Sequence, residues 1–172
     1  MTDRKKTAMA AEQVLCIVET PKGSRNRYEH DPAYGGIKLD RFLFSSVVYP
    51  MDYGYVPDTL AEDGDPLHVM VCVSAPTFSG CRIWARPIAL FRMTDEKGRD
   101  DKLLCVPTTD PQWRDTHGLD DLPDQLCSEI AHFFSIYKQP EGHEVEVHGW
   151  APTEEALEVL AASRARHVEG AG

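Results

Sequence analysis

The chain has 172 residues, of which 42% are hydrophobic and 27% charged, a composition that suits a soluble globular protein of one domain with a sizeable core. A formal charge of −10 and a pI near 5.1 argue against a general nucleic-acid or membrane-surface binder, which is normally basic. Five cysteines without a C-x-x-C pair argue against a disulfide framework or a structural zinc site, and the absence of a long apolar run predicts no membrane span and a cytoplasmic location.

Residues 1–12 read as a loose tail. The β-branched run Val14–Val18 predicts a strand that ends at Glu19, ahead of Pro21 and Gly23. Residues 24–36 mix cations and acids with turn formers, and Ile37–Phe44 predicts a strand carrying Asp40 and Arg41. Tyr49–Asp58 reads as a loop rich in tyrosine, whose rings either pack in the core or offer hydroxyls to anions.

The turn Asp63-Gly64-Asp65-Pro66 sets two carboxylates two residues apart at the mouth of an apolar strand, Val69–Val73. Carboxylates held that close repel unless a cation or a shared proton offsets them, so this is a metal-site candidate on chemistry alone. Ile83–Met93 predicts a long strand in which Pro87 requires an edge or a bulge. The charged segment 95–102 reads as a solvated hairpin loop, followed by a strand at Leu103–Val106.

Helical spacing appears from Leu122 through Leu126, Ile130, Phe133 and Tyr137 to Lys138, with Asp120 and Asp121 as cap candidates. A strand at Glu144–Trp150 and a helix capped by Thr153 and running toward Arg166 complete the pattern, with 168–172 as a second tail. His132 reads as a packed residue at a core or subunit interface, and Trp84, Trp113 and Trp150 as packing residues. Strands first and helices last predict an α+β protein with a small closed or partly closed barrel.

The candidate acids are Glu19, Glu29, Asp63, Asp65, Asp95 and Asp100, and the candidate cations are Arg27, Arg41, Lys102 and Lys138. They fall at strand ends and in loops. Oxygen-only acid clusters suit Mg²⁺ or Mn²⁺, and Arg and Lys suit phosphate oxygens. Together they point to metal-assisted phosphoryl transfer to water.

The motifs Glu19-x-Pro-Lys-Gly-Ser-Arg-Asn-Arg27-Tyr28-Glu29, Asp40-Arg41, Tyr49-Pro50-x-x-Tyr53-Gly54, Asp63-Gly-Asp-Pro-Leu, Met93-Thr-Asp95-Glu-x-Gly-x-Asp100-Asp-Lys102 and His132-Phe-Phe-x-x-Tyr137-Lys138 follow one another along the chain. In this order the sequence resembles the soluble family I inorganic pyrophosphatases of bacterial type, from about Glu19 to Trp150. The resemblance implies a five-stranded OB-like β-barrel with flanking strands and two C-terminal helices, dependence on Mg²⁺, hydrolysis of diphosphate to two phosphates, and a homo-oligomer, most often a hexamer. Carried across by position, Asp63 and Asp100 resemble ligands of the metals that bind the attacking water, and Asp65 the general base. Asp95 and Glu19 are similar to ligands of further metals, and Glu29 to a supporting acid. Arg27, Arg41, Tyr53, Lys102, Tyr137 and Lys138 resemble the phosphate grip.

Two positions depart from the family pattern. Arg27 stands where the family commonly has lysine. His68 stands where the acidic turn normally ends in an aspartate that ligates metal. A neutral imidazole offers one lone pair and no charge, and favours Zn²⁺, Co²⁺ or Mn²⁺ over Mg²⁺. Three readings follow: a diphosphatase with altered metal preference or reduced rate, a hydrolase of an organic diphosphate, or an impaired homologue that binds phosphate or diphosphate as a regulator or assembly subunit. The plain alternative is that His68 packs beside the site and ligates nothing.

Overall fold

The computed structural model describes residues 12–172. The elements run β1 (Val14–Thr20), β2 (Asn26–Asp31), β3 (Gly36–Phe42), β4 (Asp52–Tyr55), β5 (His68–Val71), β6 (Arg82–Asp95), β7 (Gly98–Arg99), β8 (Lys102–Pro107), α1 (Asp124–Ile136), β9 (Glu146–Pro152) and α2 (Thr153–Gly170). Strand order β1-β4-β5-β8-β6, with β6 also paired to β1, closes a ring. This is the expected five-stranded barrel; β7 and β9 extend β6, and β2 and β3 form a separate hairpin.

The long β6 holds the ring together by pairing with β1, β8, β9 and β7. It changes partners where the register slips between Pro87 and Ala89, the bulge that proline requires. β5 and β8 are the parallel pair and are apolar on both faces: Val69, Val71, Leu103 and Cys105 enter one core cluster with Ala156 and Leu160 of α2. Met70, Leu104 and Val106 enter the other with Ile130, Phe133 and Phe134 of α1. The helical spacing Ile130, Phe133, Phe134, Tyr137 is thus the buried stripe of α1.

Several local expectations need correction. Residues 24–36 contain a strand, β2, and the tyrosine-rich segment contains another, β4. Asp121 does not cap α1; its carboxylate accepts from the backbone N–H groups of His117 and Gly118, and α1 begins at Asp124. Thr153 is the first residue of α2, and its hydroxyl donates to Ile88 O at 2.7 Å. α2 reaches Gly170, so residues 168–170 are helical. The expected N-terminal tail lies outside the described residues apart from Glu12. His132 is exposed on α1, and Trp84 is 55% exposed, so neither is packed within this chain. All five cysteines are free thiols, with Cys16, Cys72 and Cys105 buried. Among the described residues no helix is long and apolar enough to cross a membrane.

Candidate active site

Parallel register builds the first half of the site. Val69 lies opposite Leu103, so the strand starts, His68 and Lys102, lie side by side. Asp100, just ahead of β8, then reaches both: its Oδ1 is 3.4 Å from His68 Nδ1, and its Oδ2 accepts from Lys102 Nζ at 2.8 Å. Lys102 is fully buried and also donates to the Tyr53 hydroxyl at 2.9 Å. The Tyr53 ring lies against His68, with centroids 5.3 Å apart. Burial pushes the Asp100 carboxyl up, but Lys102 and His68 outweigh it and hold Asp100 well below the ordinary carboxylate range.

The acidic turn lies against this group. Gly64 takes φ +90°, a conformation glycine adopts without strain, and the Asp65 N–H donates to Asp63 Oδ1 at 3.0 Å, which fixes the turn. Burial raises the Asp63 pKa; the hydrogen bond from Asp65 lowers it, and the charge of Asp100 raises it again.

The second half is a cleft of about 430 Å³ lined by Arg27, Glu29, Asp40, Arg41, Glu96, Lys97, Lys138, Glu141 and His143. Arg27 and Arg41 are cross-strand partners on β2 and β3, a placement that repels unless acids separate the charges. Acids do so. Glu29 accepts from Arg27 at 2.9 Å, Asp40 stands 3.6 Å from it, and Arg41 is bound by both Asp40 and Glu141. Lys138, just past the end of α1, donates to Asp95 at 3.0 Å and Glu96 at 3.1 Å.

Tyr137 and Tyr49 are buried, and the Tyr49 hydroxyl has no partner among the described residues. A buried donor without an acceptor suits an anion entering the cleft. Glu19, at the end of β1, accepts from the His30 N–H at 2.8 Å; burial raises its pKa, and that hydrogen bond, His68 and Arg27 lower it.

The sequence profile of the inorganic pyrophosphatase family matches residues 16–167. The chain belongs to the inorganic pyrophosphatase family. It is 51% identical over 163 residues to an inorganic pyrophosphatase of Methanosarcina acetivorans, covering 95% of this chain and 96% of that one. An inorganic pyrophosphatase of Streptomyces coelicolor is 54% identical over 143 residues, 81% of this chain and 86% of the relative. The crystal structure of the Thermus thermophilus inorganic pyrophosphatase superposes with a TM-score of 0.88 at 42% identity, covering 92% of each chain.

For this member of the inorganic pyrophosphatase family, the fold brings Asp63, Asp65, His68, Asp100, Lys102 and Tyr53 together on one side, and Arg27, Glu29, Arg41 and Lys138 on the other. Asp95 joins the second group through Lys138. The acids do not converge further: among the described residues no three Asp, Glu, His or Cys side chains form a ready metal cage. They are drawn instead to protein cations, Asp100 to Lys102, Asp95 to Lys138, and Asp65 to Lys97 at 3.7 Å. The donor chemistry still fits a divalent cation, because Asp63, Asp65 and Asp100 are oxygen donors, and burial first, then the charges of Asp100 and Asp65, make Asp63 harder to ionise. Sequence reasoning missed Glu96, Lys97, Glu141 and His143 as parts of the cleft. Glu96 and Lys97 lie inside a quoted motif. Glu141 is 100 residues from the arginine it binds and gave no signal.

Proposed function

We propose that the chain is an inorganic diphosphatase, catalysing metal-dependent hydrolysis of diphosphate to two phosphates. The observation that carries this reading is that the acid cluster adjoins the basic cleft: Lys97 lines the cleft and lies 3.7 Å from Asp65, so a group suited to activating water stands beside a group suited to gripping phosphate. Family membership and about half identity to inorganic pyrophosphatases over most of the chain support it.

In this reading Asp63, Asp100, Asp95, Glu19 and His68 hold the cations. The metal, when bound, neutralises the anionic substrate and makes water a better nucleophile. Asp65 takes the proton of the attacking water. The water oxygen bonds to one phosphorus, the bridging P–O bond breaks, and the bridging oxygen leaves with the second phosphate. Arg27 and Arg41 hold terminal oxygens in forked contacts, Lys102 and Lys138 act as point charges, Tyr53 and Tyr137 donate hydroxyls, and Glu29 orients Arg27. The principal cation is Mg²⁺, and the imidazole of His68 admits Mn²⁺, Co²⁺ and Zn²⁺ as alternatives.

No observation favours an organic diphosphate or a purely regulatory role. Self-association follows the family, with a hexamer as the expected form; Leu39, Phe42 and Phe44 leave apolar surface on and beyond β3 that supports it. The test is phosphate release from diphosphate with Mg²⁺, Mn²⁺, Co²⁺ and Zn²⁺ in turn, beside a panel of organic diphosphates. Activity on diphosphate with at least one metal is expected, ahead of every organic compound. Silence with all four metals overturns the reading.

A further inference from the structure

The turn between β6 and β7 is short and firmly held. The Lys97 N–H donates to Asp95 Oδ1 at 2.9 Å, and Gly98, at φ +103°, turns the chain back so that Asp95 faces Gly98 across the pair. Its tip carries two side chains with opposite tasks. Glu96 reaches Lys138 on one wall of the cleft, and the Lys97 ammonium lies 3.7 Å from Asp65 Oδ2 in the acidic turn.

The cations that line the cleft are Arg27, Arg41, Lys97 and Lys138. Arg27 and Lys138 have carboxylates at 2.9 and 3.0 Å, and Arg41 is clasped by two acids. Lys97 differs. Its contact with Asp65 is long, its side chain is 59% exposed, and Asp65 is 46% exposed. An exposed pair at that distance contributes little and separates easily. Lysine also suits such a task, since its ammonium is a compact charge on a flexible stem that can move between partners without a fixed fork geometry.

We infer that Lys97 is a further substrate-binding residue, a mobile cation that leaves Asp65 for a phosphoryl oxygen when diphosphate enters. The inference rests on the diphosphatase reading above. Two effects follow from one movement. The substrate gains a charge-assisted hydrogen bond, and the Asp65 carboxylate loses a competing cation just as it must accept the proton of the attacking water. No covalent bond to Lys97 forms or breaks; its ammonium keeps its proton throughout. The hairpin is therefore more than a solvated turn, because its fixed backbone delivers Lys97 to the junction of the two half-sites.

The test compares the natural chain with Lys97→Met, which keeps the stem and removes the charge, and Lys97→Arg, which restores it. Diphosphate hydrolysis is followed at saturating metal, and orthophosphate binding is measured by calorimetry on the same preparations. One charge-assisted hydrogen bond predicts a KM for diphosphate raised on the order of tenfold in Lys97→Met, a similar loss of orthophosphate affinity, and recovery of most of both in Lys97→Arg. An unchanged melting temperature is expected, since the side chain is exposed. KM and orthophosphate affinity within twofold of the natural chain would overturn the inference, as would a loss that Lys97→Arg fails to recover. A natural chain that binds orthophosphate yet hydrolyses nothing defeats the diphosphatase reading, while the calorimetric comparison still decides for or against Lys97 as a phosphate ligand.

Discussion

His68 and Lys102 share one carboxylate: Asp100 Oδ1 is 3.4 Å from the imidazole, and Asp100 Oδ2 is 2.8 Å from the ammonium. Relative to the aspartate that the family resemblance implies at residue 68, His68 exchanges a repulsive neighbour of Asp100 for one that attracts it. Without metal the exchange is favourable. In the proposed site with metal bound, the same exchange takes one negative charge from the ligand set, and ligand charge sets affinity for hard cations.

His68→Asp is therefore expected to act in opposite directions with and without Mg²⁺. Mg²⁺-dependent hydrolysis and Mg²⁺ affinity should rise, roughly tenfold for one added charge. The metal-free protein should melt lower, because the new carboxylate faces Asp100 without a cation between them. Thermal melts at increasing Mg²⁺, with and without the substitution, measure both effects. Identical Mg²⁺-induced shifts would show that residue 68 plays no part in holding the metal.

The apolar strands were legible, as were the half-exposed β3 and β9, whereas β2 and β4 were not. β1, β5 and β8 announce themselves as apolar β-branched runs because each contributes to buried clusters. β2 is only partly buried and carries Arg27 and Glu29, so its pattern reads as loop. β4 holds two tyrosines around Gly54, a composition shared by turns. At the site, residue types gave the acids and cations but not their pairing. The clasp of Glu141 on Arg41 depends on tertiary packing across 100 residues, which local chemistry does not encode.

Chelation tests whether metal builds the fold or only equips it. Asp100, Asp95 and Asp65 each face a protein cation, so the acid cluster has counter-charges of its own. EDTA should abolish hydrolysis while leaving the far-ultraviolet circular dichroism unchanged. The melting temperature should fall by no more than about 4 °C, the scale of one lost kcal/mol for a domain of this size. Unfolding on chelation would show that the pairs cannot replace the cation.

Lys102 is the most constrained charge in the site: it is fully buried, bonded to Asp100 and Tyr53, and lies 5.3 Å from the Phe134 ring centroid. Removing one partner of a buried pair leaves the other charge uncompensated, which costs about 3–5 kcal/mol. Lys102→Met should lose that much stability in urea unfolding, together with its hydrolytic activity. Adding Asp100→Asn should recover a large part of the stability and none of the activity. Additive losses in the double variant would show that the two side chains are not energetically coupled.

Gly54 decides whether the two half-sites can be held in register at all. It lies opposite Val18 of β1 and Val69 of β5, in the middle of β4. A Cβ placed there would lie 1.9 Å from the Ile17 carbonyl oxygen, and that atom belongs to the backbone, so no side-chain rotation relieves the clash. β1 must move away from β4, and it carries Glu19, while β4 carries Tyr53 and through it the contact with Lys102. Gly54→Ala is expected to lower stability by about 3 kcal/mol or more, at the severe end for a single added methyl group. Urea unfolding measures the loss, and the remaining folded fraction should show reduced phosphate release because Tyr53 has shifted. An unchanged urea midpoint would mean that β1 and β4 separate without cost, and that the close approach of the two strands is not what positions the site.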